Sequence, residues 1–377
     1  MMRVAVIIDS LKVGGAQKLV SVYATSASAH GLSPVVITLR KDNAASILDP
    51  IRASGIRVIT LHASSIFNLR RIWQLAKILK DEKVDIVQTH LVYSNILGSL
   101  AARLAEIPMV ATLHSTTVRG DLKSRILKRL ENYLLRNFAT RIVAVGKVVA
   151  DFNKDNYGKR RIDVIPNGIP KPEIPQPGER DRLRQEVTGD GSDSIIITVG
   201  RFSSAKGFED MIEAFNMLHQ RASKPKLIMV GSGGSVNSIK EKIENLQLTQ
   251  SVILAGERDD VHHLLSLSDV YASSSHREGL PLAVLEAMMA GLPVVATSVG
   301  DIPNVVTAET GVVVPPHRPE LLAEALEDLL KNPEKRDAMG KAAHRRAMNE
   351  YSVEVWMNRH HDLYRDVLSS NGHKHST

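Results

Sequence analysis

Residues Pro166–Pro177 read PNGIPKPEIPQP, five prolines in one short stretch with neither the twofold period of a strand nor the 3.6-residue period of a helix. Each proline fixes φ and lacks an N–H, so no ladder or helix can run through the segment. On both sides the sequence has a different rhythm. Before it, Val4–Ile8, Val35–Leu39, Arg57–Leu61, Ile86–Thr89, Met109–Leu113, Ile142–Val145 and Asp163–Ile165 are short β-branched runs. Helical patterns such as Ala16–Ala29, Leu69–Lys80 and Ser94–Ala105 separate most of them. After it the alternation restarts, with strands expected at Ile195–Val199, Lys226–Val230, Val252–Ala255, Val270–Ala272, Val294–Ala296 and Gly311–Val314. Helices are expected at Phe208–Gln220, Pro281–Ala290 and Pro319–Lys331. Strand–helix alternation of this kind builds a parallel sheet covered on both faces. The fold class is therefore α/β, with two Rossmann-like, doubly wound domains at residues 1–170 and 171–352 joined by the proline segment. A last helix near Val353–Leu368 has no strand after it. Residues 353–377 are expected to carry that helix across the domain junction and to end in a frayed tail containing His373 and His375.

The composition limits what such a chain can be. Its 377 residues suffice for two full-sized cores, and 43% hydrophobic with 24% charged residues is ordinary for a globular protein. The absence of cysteine excludes disulfides, thiolate metal sites and a cysteine nucleophile, and it suits a reducing compartment. The sequence enters its first strand almost at once, and no stretch approaches the roughly 18 apolar residues that span a bilayer. The expectation is a cytoplasmic chain, either soluble or peripheral on the inner face of the cell membrane. Residues 1–170 hold 25 Lys and Arg against 12 Asp and Glu, whereas the remainder holds 23 against 29. The basic first half thus favours an anionic surface or ligand. Nucleic acid is not the expected partner, because aromatic residues are sparse and no binding motif is present.

The chemistry concentrates in Ser273–Gly291, SSSHREGLPLAVLEAMMAG. Pro281 stands where a helix should begin and Gly291 just past its end. The helix between them is apolar nearly all round and is therefore expected to be buried. Glu286 is its one charge, and a buried carboxylate requires a strong hydrogen-bonding partner. The amides of Gly279, Leu280 and Leu282 at the helix start form an anion site reinforced by the helix dipole. Glu286 lies roughly 7 Å along the axis from that end, a distance that suits a diphosphate at the terminus and a ribose diol at the carboxylate. Glu278 opens onto the same place.

Glu278 and Glu286 form an E-x7-E pair, and with it the chain resembles glycosyltransferase family four, retaining enzymes of GT-B architecture whose two domains face each other across a cleft. The resemblance covers nearly the whole chain. Gly14-Gly15-Ala16-Gln17 follows the first strand, Thr112-Leu113-His114 closes another, and Ile165-Pro166-Asn167-Gly168-Ile169 marks the domain crossing. Val199-Gly200-Arg201-Phe202 with Lys206-Gly207, Val230-Gly231-Ser232-Gly233 and Gly291-Leu292-Pro293-Val294-Val295-Ala296 follow in the family's order. The resemblance implies an acceptor-side N-terminal domain and a C-terminal domain that binds a nucleotide sugar, UDP-linked by preference and GDP-mannose next. It implies transfer to a glycan or lipid-linked acceptor, in bacterial surface or extracellular polysaccharide synthesis, without a cofactor or a metal.

Residue by residue, the resemblance makes Arg201 and Lys206 ligands of the diphosphate, Glu286 a ribose ligand and Glu278 a contact to the donor sugar. Gly14 and Gly15 would let backbone approach the phosphates or sugar, and His114 would face the donor sugar. Arg258, in the GERDDV loop Gly256–Val261, would lie near the base. Taken singly, each has a plainer reading: solvated surface for Arg201 and Lys206, a helix cap for Glu278, a turn for Gly14–Gly15, a structural histidine for His114. Asp190, Asp193, Asp259 and Asp260 read as turn and surface acids, so no metal site is expected.

Arg119–Arg141 carries seven basic residues against Asp121 and Glu131, with Leu122, Ile126, Leu130, Leu134 and Phe138 at helical spacing and Arg125, Lys128, Arg129 and Arg136 largely off that stripe. It reads either as a helix on an anionic membrane surface or as a domain helix with its stripe inward. Two other readings of the whole chain compete. A nicotinamide-dependent oxidoreductase would want G-x-G-x-x-G after the first strand and an acidic residue roughly 20 positions on, and Gly14-Gly15 and Arg40-Lys41 supply neither. A sugar-nucleotide-binding relative without turnover would keep the fold but need not keep Arg201, Lys206, Glu278 and Glu286 together.

Overall fold

The computed structural model describes residues 1–61, 68–116, 121–158, 160–172, 177–189, 194–221 and 225–372. Asp190, Asp193, His373 and His375, part of the proline segment (173–176) and the start of the basic stretch (119–120) lie outside them. The chain divides into two compact units, one made of Met1–Gly168 with the chain from Val353 onward, the other of Ile169–Ser352.

The first unit is a parallel sheet of β1 (Met2–Ile8), β2 (Leu32–Thr38), β3 (Val58–Thr60), β4 (Ile86–His90), β5 (Met109–Leu113), β6 (Arg141–Ala144) and β7 (Ile162–Val164), in the order β3-β2-β1-β4-β5-β6-β7. The second contains β8 (Ile195–Val199), β9 (Lys226–Val230), β10 (Val252–Gly256), β11 (Val270–Ser273), β12 (Val294–Thr297) and β13 (Gly311–Val314), in the order β10-β9-β8-β11-β12-β13. Every pairing is parallel. Both units are thus doubly wound Rossmann-like folds.

Strands at the centre of such a sheet are covered on both faces and must be apolar throughout. Val4–Ile8 meet that demand, with no solvent exposure at any of the five. In β8 and β9 the alternation of side chains distributes residues between two cores. Ile195, Ile197, Ile228 and Val230 pack with Val284, Leu285 and Met288 on one face. Ile196, Leu227 and Met229 pack with Phe208, Phe215 and Leu326 on the other.

Strand order reverses between β1 and β4 in one unit and between β8 and β11 in the other. Loops leaving the two strands at such a switch turn to opposite faces, which opens a crevice at the carboxyl ends of the strands. This places two sets of loops at the ligand-binding edge of their sheets: those after β1 and β4, and those after β8 and β11.

The basic stretch forms a helix at Leu122–Phe138, capped by the Asp121 carboxylate, which accepts from the Ser124 amide at 3.0 Å. Its inward face differs from the stripe expected. Leu127, Leu134 and Leu135 are buried together with Glu131, while Leu122 and Ile126 point outward, as does Tyr133. The reason is polar: Glu131 accepts from Asn95 Nδ2 at 2.6 Å and pairs with Lys128 Nζ at 2.8 Å, and this buried network sets the helix rotation.

The final helix, Val353–Gly372, packs on the first unit. Trp356 sits edge-on to Tyr23, with ring centroids 5.9 Å apart, and the Tyr23 and Tyr364 hydroxyls are 3.1 Å apart. Tyr364 also donates to Gln88 Oε1 on β4. Trp356 is buried, so its truncation leaves a void costing about 3–5 kcal/mol. We expect Trp356→Ala to lower the urea midpoint of the first unit, followed by circular dichroism, and to leave the second unit's transition in place. An unchanged midpoint would mean that the helix rests on the unit without stabilising it.

Candidate functional site

In the second unit the loop leaving β8 runs from Gly200 to Gly207 and carries both Arg201 and Lys206. The Gly200 amide donates to Val230 O at 3.0 Å, Phe202 to Ser232 O at 2.8 Å, and Gly231 to Gly256 O at 2.8 Å, so the ends of β8, β9 and β10 are laced together. On the other side of the switch, the His276 and Arg277 amides donate to Ala205 O at 2.9 and 3.2 Å. The Ser274 hydroxyl donates to Gly207 O at 2.7 Å. Lys206 Nζ lies 2.5 Å from Glu278 Oε1, which also accepts from Ser275 Oγ at 2.8 Å. Two residues 72 positions apart in sequence thus meet at the switch.

Two glycines permit that approach. Gly207 has φ +58°, and a Cβ there would lie 2.1 Å from Ser274 O. Gly300 has φ +54°, and its Cβ would fall 2.5 and 2.6 Å from the carbonyl oxygens of Glu278 and Gly279. A side chain at either would adopt a disfavoured conformation and push backbone away from backbone. The Asp301 amide, donating to Gly279 O at 2.9 Å, fixes the same turn.

The helix after it spans Leu282–Met289 with Pro281 as its cap, one residue shorter at each end than expected. Val284, Leu285, Ala287, Met288 and Met289 are buried, and Glu286 is half-buried rather than fully enclosed. Among the described residues, the amides of Gly279, Leu280 and Leu282 donate to no backbone carbonyl, as is usual at the start of a helix. Glu286 stands roughly 6 Å along the axis from that end. Beneath them Tyr271 is buried, and burial together with the charges of Glu278 and Glu286 raises its pKa, so the phenol stays neutral. Arg201 is exposed and makes no ion pair among the described residues. Arg258 follows β10 and is held by Asp260, Nε to Oδ1 at 2.7 Å and Nη2 to Oδ2 at 2.6 Å.

Gly14, Gly15 and His114 belong to the first unit. Gly14 caps the helix Gly15–Ser26 that leaves β1, and its carbonyl accepts from the Lys18 amide at 2.9 Å. His114 follows β5, with Nε2 at 2.9 Å from Nδ1 of His90 at the end of β4. Burial pushes His114 down to about 4. His90 lies well below the usual range, by burial and by the neighbouring His114 and His360. His360 is brought down to about 3, again by burial. Asp9, directly after β1, accepts from the Ser94 amide at 2.9 Å and its hydroxyl at 2.7 Å, and burial raises its pKa.

Asp9, His90, Tyr271 and Ser275 were not singled out from sequence. Their signal is positional, since all but Ser275 lie in or directly after strands flanking a switch, and that becomes visible only once strand order is known. Outside the Lys206–Glu278 contact, Asp210, His276 and His317 stand close enough to hold a metal ion, a group no sequence spacing revealed.

Two doubly wound units, one with a basic loop, a helix terminus and a carboxylate pair at its switch, are the architecture of the GT-B glycosyltransferases. The chain belongs to glycosyltransferase family 4. Residues 13–171 match the model described as Glycosyltransferase Family 4, and residues 179–346 match Glycosyl transferases group 1. An Escherichia coli relative, UDP-Gal:alpha-D-GlcNAc-diphosphoundecaprenol alpha-1,3-galactosyltransferase, is 31% identical over 262 residues, 67% of each chain. The N-acetyl-alpha-D-glucosaminyl L-malate synthase of Bacillus anthracis is 25% identical over 82% of this chain and 83% of its own. Among solved structures, Anabaena HepE in complex with UDP superposes with a TM-score of 0.87 at 20% identity, covering 97% of this chain and 100% of that one. Sucrose-phosphate synthase of Thermosynechococcus elongatus gives 0.81 at 20% identity, over 98% and 100%. At such identity these last two speak for the fold.

The buried histidines lead us to expect that the first unit is acid-sensitive. Each has a folded pKa below the ordinary 6.5, so the folded state binds fewer protons than the unfolded chain, and their stabilising contribution is lost as pH falls from about 6.5 towards 4. Asp9, with its raised pKa, acts in the opposite sense, one group against three. The urea midpoint of this unit should fall across that window, and His90→Asn, which keeps a polar atom near Nδ1, should flatten the slope. An equal slope in the variant would remove His90 from the account.

Proposed function

We propose that this chain is a retaining, metal-independent hexosyltransferase that moves a sugar from a UDP-sugar to a hydroxyl of a glycan or lipid-linked acceptor, in bacterial surface or extracellular polysaccharide synthesis. The observation that carries the reading is the Lys206–Glu278 contact across the β8/β11 switch, with Arg201 on the same loop and the Leu282–Met289 helix terminus beside it. In this reading Arg201, Lys206 and the amides of Gly279, Leu280 and Leu282 hold the diphosphate. Glu286 takes the ribose and Glu278 the donor sugar. Gly14 and Gly15 admit the donor to the backbone, His114 faces the sugar, and the Arg258 loop meets the base. UDP is favoured over GDP because the E. coli relative is named for UDP-Gal and HepE was solved with UDP and with UDP-glucose.

Transfer builds negative charge on the leaving phosphate oxygen and positive charge at the anomeric carbon. Cations and amides that meet the former lower the barrier, and in this reading that electrostatic contribution is the protein's main work. With the leaving group so compensated, its departing oxygen can accept the proton of the incoming hydroxyl on the same face, which retains configuration. Arg201→Ala or Lys206→Ala should each lose at least about 10²–10³ in turnover with the fold kept by circular dichroism. A panel of UDP- and GDP-sugars should give transfer from a UDP donor, with the product's anomeric proton in the donor's configuration. Near-normal transfer by both variants would defeat the assignment, and donor binding without turnover would favour the non-catalytic reading.

We also propose that the Leu122–Phe138 helix rests on an anionic membrane. Its outward face presents Leu122 and Ile126, 72% and 54% exposed, among exposed Lys123, Arg125 and Arg129. Apolar side chains that enter the interface beside cations that meet its headgroups are what such attachment needs. Among the described residues no helix is long and apolar enough to cross a membrane. The E. coli relative is named for a diphosphoundecaprenol-linked sugar and the Streptococcus pneumoniae relative for the synthesis of a diacylglycerol-linked one, both lipid-linked. Sedimentation with anionic vesicles should show binding that weakens with salt and is reduced by Arg125→Glu with Ile126→Ser. Equal sedimentation of the variant would move the contact elsewhere.

A further inference from the structure

The ends of three segments of the second unit bring together side chains that the transferase reading does not use. Asp210 lies in the first turn of the helix Phe208–Arg221, His276 in the loop after β11, and His317 in the loop after β13. Asp210 Oδ2 is 2.8 Å from His276 Nε2 and 3.8 Å from His317 Nδ1. The two imidazole rings have centroids 3.8 Å apart at 37°, and one ligand atom from each residue lies within 4.8 Å of the others.

Two of the three ligand separations lie near those around a tetrahedral ion, and the third is within 4.8 Å. Around a tetrahedral zinc with bonds of about 2.05 Å, neighbouring ligand atoms stand about 3.3 Å apart. The observed 2.8 and 3.8 Å fall on either side of that value, so one contact opens and the other closes by about 0.5 Å. His317 has the freedom to make the adjustment, since its side chain is 66% exposed. Two imidazoles and one carboxylate suit zinc and its borderline neighbours, whereas magnesium and calcium prefer all-oxygen sets. Three protein ligands also leave the fourth position open to water.

We propose that Asp210, His276 and His317 bind a divalent transition ion, with Zn²⁺ as the fitting occupant. The site takes no part in the transfer chemistry and does not depend on the donor assignment. Its consequence is mechanical. Asp210 lies three residues beyond Gly207, and the His276 amide already donates to Ala205 O. An ion held by all three residues therefore ties the loop after β13 to the two loops that meet at Lys206 and Glu278.

Calorimetric titration with ZnCl₂, using the full chain carrying His373→Ala and His375→Ala to remove tail histidines, tests the assignment. One equivalent should bind, MgCl₂ should not, and a hundredfold excess over Kd should raise the thermal midpoint by roughly 5 °C. Adding His317→Ala should weaken binding by at least about 100-fold, beyond the usual effect of losing a supporting partner. His262→Ala, in the His262–His263 ring pair of the helix Val261–Leu267, should leave binding unchanged. No binding up to roughly 1 mM, or equal affinity after His317→Ala, would overturn the site.

Discussion

The charge contact between Lys206 and Glu278 is the constraint around which the second unit is arranged. Each residue ends a loop that leaves the sheet towards a different face, and neither charge is fully in water. A part-buried charge without its partner is costly, so the two loops hold one another at the switch. Gly207 and Gly300 make this possible by admitting backbone where no side chain would fit. The serines that line the loop add further donors, Ser275 to the same Glu278 Oε1 that Lys206 meets and Ser274 to the Gly207 carbonyl. What results is a cation beside an amide-rich helix terminus, held in place before any ligand arrives.

The first unit repeats the topology with the opposite electrostatic character. At its switch stand Asp9, enclosed by Ser94, and the neutral pair His90–His114. Burial suppresses charge there, whereas the second unit displays it. The overall net charge of +7 does not describe this contrast, because much of the first half's basic excess lies on the outward face of the Leu122–Phe138 helix, where Lys123, Arg125 and Arg129 are exposed.

Much of this was legible in the sequence, and the reasons are physical. β-Branched runs marked the thirteen strands seen among the described residues, because a parallel sheet tolerates little else where it is covered on both faces. The proline run contains the point, Gly168 to Ile169, at which one compact unit gives way to the other, and a helix begins at its last proline, Pro177, where proline's fixed φ is an asset. The E-x7-E helix was readable because its one charge stood out against apolar neighbours. Other features depend on contacts that a linear reading does not contain. The rotation of the Leu122–Phe138 helix follows from Glu131 meeting Asn95, a residue on another helix. The Asp210–His276–His317 group joins the start of one helix to two loops distant in sequence, and the terminal helix's place on the first unit depends on Trp356 and Tyr364 finding Tyr23 and Gln88.

The account rests on where a pyrophosphate sits, and a crystal structure of the chain with UDP tests that directly. We expect the diphosphate within hydrogen-bonding distance of Lys206 Nζ, the Arg201 guanidinium and the Leu280 and Leu282 amides, with a ribose hydroxyl on Glu286. A diphosphate bound elsewhere, with the Lys206–Glu278 pair undisturbed and Glu286 untouched, would contradict it.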